Sequence, residues 1–117
     1  RSGQPVPATT SGYLNLIHVD DATDVDVAAA TCELRENGPR IYCVSDGHPV
    51  QRGEYYSEVA KQIGASPPRF VEPDPSSPRA ARAASSRRVR NDRMLAELRV
   101  TLAYPDYRAG LAAILSA

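Results

Sequence analysis

Hydrophobic and polar positions along the chain follow two periods. Leu14, Leu16, Ile17 and Val19 form a β-prone run bounded by Gly12 and by Asp20-Asp21, which predicts a mostly buried strand. In "DDATDVDVAAATCEL" the period lengthens: Ala22, Val25, Ala29 and Cys32 recur at helical spacing as one apolar stripe. Asp20 and Asp21 fall where strand gives way to helix. Their carboxylates are predicted to cap the helix by accepting hydrogen bonds from its first-turn N–H groups. Asp24 and Asp26 add negative charge near the positive end of the helix dipole. Asn37-Gly38-Pro39 is the predicted stop. "RIYCVS" reads as a second strand, closed by the turn residues Asp46 and Gly47. A strand, a helix and a strand in this order predict a βαβ unit, with parallel strands and a right-handed crossover.

Beyond it, Tyr56, Val59, Ala60 and Ile63 mark the apolar face of a helix from about Arg52 to Gln62, ended by Gly64. "RFVEP" predicts a short strand cut off by Pro73. Residues 73–86, rich in Pro, Ser and Ala, predict an exposed, mobile loop. Asn91 is placed to cap a helix reaching about Leu98. Asp106 is placed to cap a last one, with Tyr107, Leu111, Ile114 and Leu115 facing inward. The expected fold class is therefore α/β: a small βαβ-containing lobe of short parallel strands and about four helices, treated as a single domain over 1–117.

Composition narrows the function. A chain of 117 residues suffices for one small domain, but aromatics make up only 6% and Trp is absent. The core must rest on Ala, Val, Leu, Ile and Tyr, and is expected to be marginal without a partner surface. Fourteen basic and fourteen acidic side chains cancel, so charge gives no case for a nucleic acid or an anionic membrane as partner. No apolar run has the length of a membrane span, and no signal-peptide pattern is visible. Cys32 and Cys43 lack metal-ligand spacing and read as free thiols. Together these features point to a cytoplasmic setting. The loop-like opening "RSGQPVPATTSG", without a Met, suggests a piece of a longer protein.

Candidate chemistry centres on "NLIHVDD", Asn15 to Asp21. His18 falls on the strand face opposite Ile17 and Val19, either packed structurally or lining a cleft; Asn15 points nominally the other way. No Ser or Cys nucleophile is placed to complete a triad. "YYSEVAK" is not the Tyr-x-x-x-Lys pair of dehydrogenases. Ser57 stands four residues before Lys61, and Tyr56 five before it, about 500° around the helix. The arginines Arg79, Arg82, Arg87, Arg88 and Arg90 form a basic stretch, either a solvated loop or a clamp for phosphate or carboxylate. There is no GxGxxG and no GxxxxGK[ST]. Read from its residues, the chain holds no complete catalytic constellation.

The order "NLIHVDDATDVDVAAA", "PRIYCVSDGHPVQRGEYYSEVAKQIG", "RVRNDRMLAELRVTLAYPDYRAGLAAIL" resembles the C-terminal part of extended short-chain dehydrogenase/reductases, the NAD-dependent epimerase/dehydratase family. The resemblance covers nearly the whole chain. It implies the substrate-side portion of a Rossmann-type oxidoreductase, with the NAD or NADP fingerprint and the catalytic Ser/Tyr/Lys set in a preceding Rossmann domain. It implies that Asn15, His18, Arg87 and Arg88 lie near a small-molecule substrate, sugar-like or steroid-like. Nucleotide-sugar members often carry an Arg four residues before the His, where this chain has Leu14. They also often carry an Arg-x-Gly-Asp element where it reads "EPDPSSPRAA". A nucleotide-diphosphate sugar is thus disfavoured unless Arg87 or Arg88 substitutes. The Ala-rich helix faces would pack on the Rossmann domain, and alone could drive self-association. The chain by itself is expected to be inactive and to bind no cofactor. The competing reading is a non-catalytic binding module that holds an anionic partner with its Arg-rich loop.

Overall fold

The computed structural model describes residues 5–8, 10–32, 40–84 and 86–116. It is an α/β arrangement of five helices and four two-residue strands among these residues. In order they are β1 (Val6–Pro7), β2 (Tyr13–Leu14), α1 (Val19–Thr31), β3 (Val50–Gln51), α2 (Arg52–Ile63), β4 (Phe70–Val71), α3 (Pro78–Ala84), α4 (Asp92–Leu98) and α5 (Tyr107–Ser116).

The strands pair differently from the expected βαβ unit. β1 and β4 run parallel, with Val6 opposite Phe70 and Pro7 opposite Val71. β2 pairs antiparallel with β3, with Tyr13 opposite Gln51 and Leu14 opposite Val50. "RIYCVS" joins neither ladder. Just after it, Asp46 N–H donates to the Leu16 carbonyl and so ties its end to the Leu14–Val19 run. The predicted helix stop at Asn37-Gly38-Pro39 lies outside the described residues.

Five helices stand where about four were expected. The additional one, α3, lies inside the predicted loop 73–86. There Ser77 starts the turn by accepting from Ala80 N–H at 3.0 Å. Ala and Arg, both strong helix formers, outweigh the Pro/Ser flavour of the stretch.

Two helix pairs make the body: α1 packs on α4, and α2 on α5. The first pair holds the core cluster of Val25, Met94 and Leu98, with Ile17, Tyr42 and Leu102 against it. Met94 is fully buried. The second pair is joined by aromatic contacts. Tyr55 lies 5.9 Å from Tyr107, and Tyr56 reaches Phe70 of β4 edge-on at 5.8 Å. Arg108 adds an ion pair to Glu54 at 2.9 Å. Tyr55, rather than the predicted Tyr56, therefore faces α5. α2 ends at Gly64, whose left-handed φ of 70° lets its N–H reach back to the last-turn carbonyls. In α5, Tyr107 and Gly110 are buried, whereas Ile114, expected inside, is 54% exposed.

The molecule is thin. Its principal extents are 50 × 36 × 17 Å. Its radius of gyration of 16.9 Å exceeds the roughly 13 Å of a compact domain of this length.

Candidate functional site

The "NLIHVDD" stretch is built mainly by hydrogen bonds to distant backbone. Asn15 spends both ends of its amide on the segment before α4: Nδ2 donates to the Arg87 carbonyl at 2.8 Å, and Oδ1 accepts from Val89 N–H at 2.9 Å. This clamp fixes Arg87 and Arg88 beside the strand end while both side chains stay exposed. The Arg88 guanidinium sits 5.1 Å above the Tyr13 ring, a cation–π contact. Asn15, Arg87 and Arg88 are thus neighbours.

His18 faces elsewhere. It is the N-cap of α1, accepting from Asp20 N–H through Nδ1 at 3.0 Å. Its ring stacks on Tyr104 at 4.0 Å and lies against Gly110 of α5. The side chain is 6% exposed. An accepting Nδ1 puts the ring proton of the neutral imidazole on Nε2.

The caps expected of Asp20 and Asp21 are therefore corrected. Asp20 is an exposed first-turn residue. Asp21 is 1% exposed and accepts from Ala103 N–H at 2.8 Å and Tyr104 N–H at 2.9 Å. It ties α1 to the segment entering α5. His18 can take the cap because its short-range acceptor lies two residues before the N–H it satisfies. Replacing His18 by Ala is expected to cost about 1–2 kcal/mol through the lost cap and stacking. His18→Asn, which keeps a capping acceptor, should recover part of this in urea denaturation.

A second correction concerns Asn91. It occupies the N-cap position of α4 but makes no side-chain cap bond. Its Nδ2 donates instead to the Ser45 carbonyl at 2.9 Å. Gly47, at φ 80°, lies against the same amide, and an added Cβ would meet Asn91 Oδ1 at 2.6 Å. Only glycine fits this turn. Asp106 does cap α5, accepting from Ala109 N–H at 2.9 Å.

Among the described residues, hollows open on these elements, two of which bear on the candidate site. The larger, about 560 Å³, lies between α1 and α4 beside Cys32, Arg40 and Arg99. Its carboxylate, Glu97, already faces Arg93, Tyr42 and Arg40. The Arg93 hydrogen bond foremost holds that carboxyl below its usual range. No residue of "NLIHVDD" lines this cleft, so size does not make it the better candidate. The smaller hollow, about 100 Å³, is lined by Leu16, Ile17, His18, Asp46, Tyr55 and Tyr107, with Ile114 at its edge. It lies where the predicted site and the Asp-Gly turn converge.

Asp46, by its local sequence only a turn residue, is a buried carboxyl on this hollow. It is 4% exposed, and Oδ1 accepts from His48 N–H at 2.8 Å. Burial pushes its carboxyl above the usual range; the nearby Asp106 charge pushes the same way, while the His48 contacts oppose both. A carboxyl that binds its proton more tightly when folded stabilises the fold while protonated. That contribution is lost as pH rises from the ordinary carboxylate range through the shifted value. Asp46→Asn keeps the acceptor for His48 N–H and carries no charge. The variant is expected to match the wild type at acidic pH and to melt higher at neutral pH. Parallel thermal scans at both pH values check this.

No family model matches the chain. It is 29% identical over 113 residues to a 3-diazoavenalumate denitrifying reductase from a Streptomyces species. That match covers 92% of this chain and 36% of the reductase. Among solved structures, a functionally unknown conserved protein from Silicibacter pomeroyi superposes with a TM-score of 0.75 at 34% identity. That match covers 90% of this chain and 38% of the other. The chain spans little more than a third of the length of both relatives.

Among the described residues no His, Cys, Asp and Glu side chains gather into a possible metal site. No described helix is long and apolar enough to cross a membrane. Cys32 and Cys43 are free thiols.

Proposed function

We propose that this chain is the substrate-side portion of an NAD(P)-dependent reductase of the extended short-chain dehydrogenase/reductase kind. The observation that carries the reading is the reductase match, which runs along 92% of this chain yet covers 36% of the reductase. The sequence agrees with it: the chain holds neither a glycine-rich phosphate turn nor a Tyr-x-x-x-Lys pair. Cofactor binding and hydride transfer belong, in this reading, to a Rossmann domain outside these residues.

The chain's own part is to shape the substrate side. Arg87 and Arg88 are exposed cations on a segment pinned by Asn15. They are suited to an anionic group of a small molecule, since guanidinium pairs well with carboxylate or phosphate. His18 holds the start of α1 and the wall of the small hollow in place.

The test is cofactor binding by the complete gene product and by residues 1–117 in parallel. NADH or NADPH should bind the complete product with saturation and be oxidised by one of a panel: 3-diazoavenalumate, a keto nucleotide sugar or a steroid ketone. Residues 1–117 should bind neither cofactor. Saturable micromolar binding to 1–117 in calorimetry, or its absence from the complete product, would refute the proposal.

A further inference from the structure

The small hollow beside His18 has mostly apolar walls. Leu16 and Ile17 line it from the strand run, Leu111 from α5, and the rings of Tyr55 and Tyr107 from α2 and α5. Those two rings lie 5.9 Å apart, tilted by 57°, so they present faces and edges at which a further aromatic ring can pack. The Tyr107 hydroxyl is turned to Glu54, which does not line the hollow. The volume, about 100 Å³, is on the scale of a six-membered ring; an apolar cavity of about 150 Å³ holds benzene.

His18 and Asp46 interrupt these walls, each with one hydrogen-bonding group used and one unused. His18 Nδ1 accepts from Asp20 N–H, so Nε2 carries the ring proton, and it has no partner among the described residues. Asp46 Oδ1 accepts from His48 N–H, and Oδ2 has no partner among the described residues. Burial foremost, with the Asp106 charge adding to it, pushes the Asp46 carboxyl up, as befits a carboxylate short of donors. Asp106, the third polar side chain at the hollow, spends Oδ1 on the α5 cap.

One donor and one acceptor thus stand on the wall of one hollow. A hydroxyl answers both, because it donates and accepts at once. An ammonium has only donors and leaves Nε2–H unmatched; a carboxylate or ketone has only acceptors and leaves Asp46 unmatched. A sugar brings several hydroxyls, most of which would meet aliphatic wall without a partner.

We infer that this hollow receives a hydroxylated aromatic ring at one end of the reductase's substrate, with Asp46 accepting from the ring hydroxyl and His18 Nε2–H donating to it. Naming the ring as part of a substrate rests on the reductase reading above; the ring site rests on the lining. Asp46 and His18 act here in specificity, by selecting the hydroxyl.

The experiment is an NMR titration of the complete gene product at neutral pH with phenol and with anisole, its methyl ether. Phenol is expected to bind with a Kd of about 1 mM, within reach of so small a ligand. Anisole should bind about tenfold more weakly, since it has no proton for Asp46. Amide shifts caused by phenol should centre on Gly110 and Leu111. Asp46→Asn, the variant expected to melt higher at neutral pH, sets a donor where the wild type has its free acceptor. In it the preference for phenol should fall below about threefold. Equal binding of phenol and anisole by the wild type, or an unchanged preference in Asp46→Asn, overturns the inference. Tighter binding of benzylammonium than of phenol makes the hollow a cation site and overturns it too. A product that binds NAD(P) but no phenol overturns the ring site and leaves the reductase reading intact. A product that binds phenol with the expected preference but no NAD(P) overturns the substrate named here together with the reductase reading.

Discussion

Replacing Asp21 by Ala is expected to destabilise the fold by about 3 kcal/mol. The carboxylate is 1% exposed and accepts two backbone N–H groups, from Ala103 and Tyr104. Hydrogen bonds to a charged acceptor contribute about 1.5–3 kcal/mol each, and truncation leaves both donors short of a partner. The loss exceeds the roughly 1 kcal/mol of an ordinary helix cap. It also frees the segment entering α5 from α1, with Tyr104 carrying the ring on which His18 stacks. Asp21→Asn retains one carbonyl acceptor and turns the other position into a donor. It should therefore fall between wild type and Asp21→Ala. Asp20→Ala serves as the control: an exposed neighbour, expected to cost less than about 0.5 kcal/mol. Urea denaturation of the series checks the order, and equal losses at positions 20 and 21 would remove Asp21 from the role described.

The same pair of residues shows what a sequence can and cannot display. Two carboxylates at the start of a helical stripe are each credible caps, and local spacing cannot separate them. What separates them is contact across more than 80 residues of chain. α1, α2, α4 and α5 were legible because each carries an apolar stripe at helical period or a recognisable stop. Gly64 and Asp106 behave as their residue types require. α3 was hidden by composition, since proline and serine around "PRAARAA" disguised its helix formers. β1 and β3 are two residues long, too short to show any period, whereas β4 falls within the strand that "RFVEP" predicted. In the candidate site, what brings Asn15 beside Arg87 and Arg88 is a pair of hydrogen bonds across more than 70 residues of chain, which local spacing does not display. The stacking of His18 under Tyr104, and the burial of Asp46, depend on α5 folding back over the strand end, which no local signal announces.

Met94→Ala is expected to cost about 2–5 kcal/mol, enough to unfold a marginal domain. Met94 is fully exposed to its neighbours and not at all to water, at the centre of the cluster that joins α1 to α4. The large range reflects how far Val25, Leu98 and Leu95 can close on the space left by three heavy atoms. Around them the body is thin, so few side chains stand behind to fill it. Met94→Leu conserves volume and should cost less than about 1.5 kcal/mol. The two thiols make the local consequence measurable. Cys32 packs against the cluster and is half-buried, whereas Cys43 is exposed. Loosening α4 should speed the reaction of Cys32 with a thiol reagent and leave Cys43, already open, at its wild-type rate. A Met94→Ala protein in which Cys32 stays as slow as in the wild type would mean that α1 and α4 are joined by something other than this cluster.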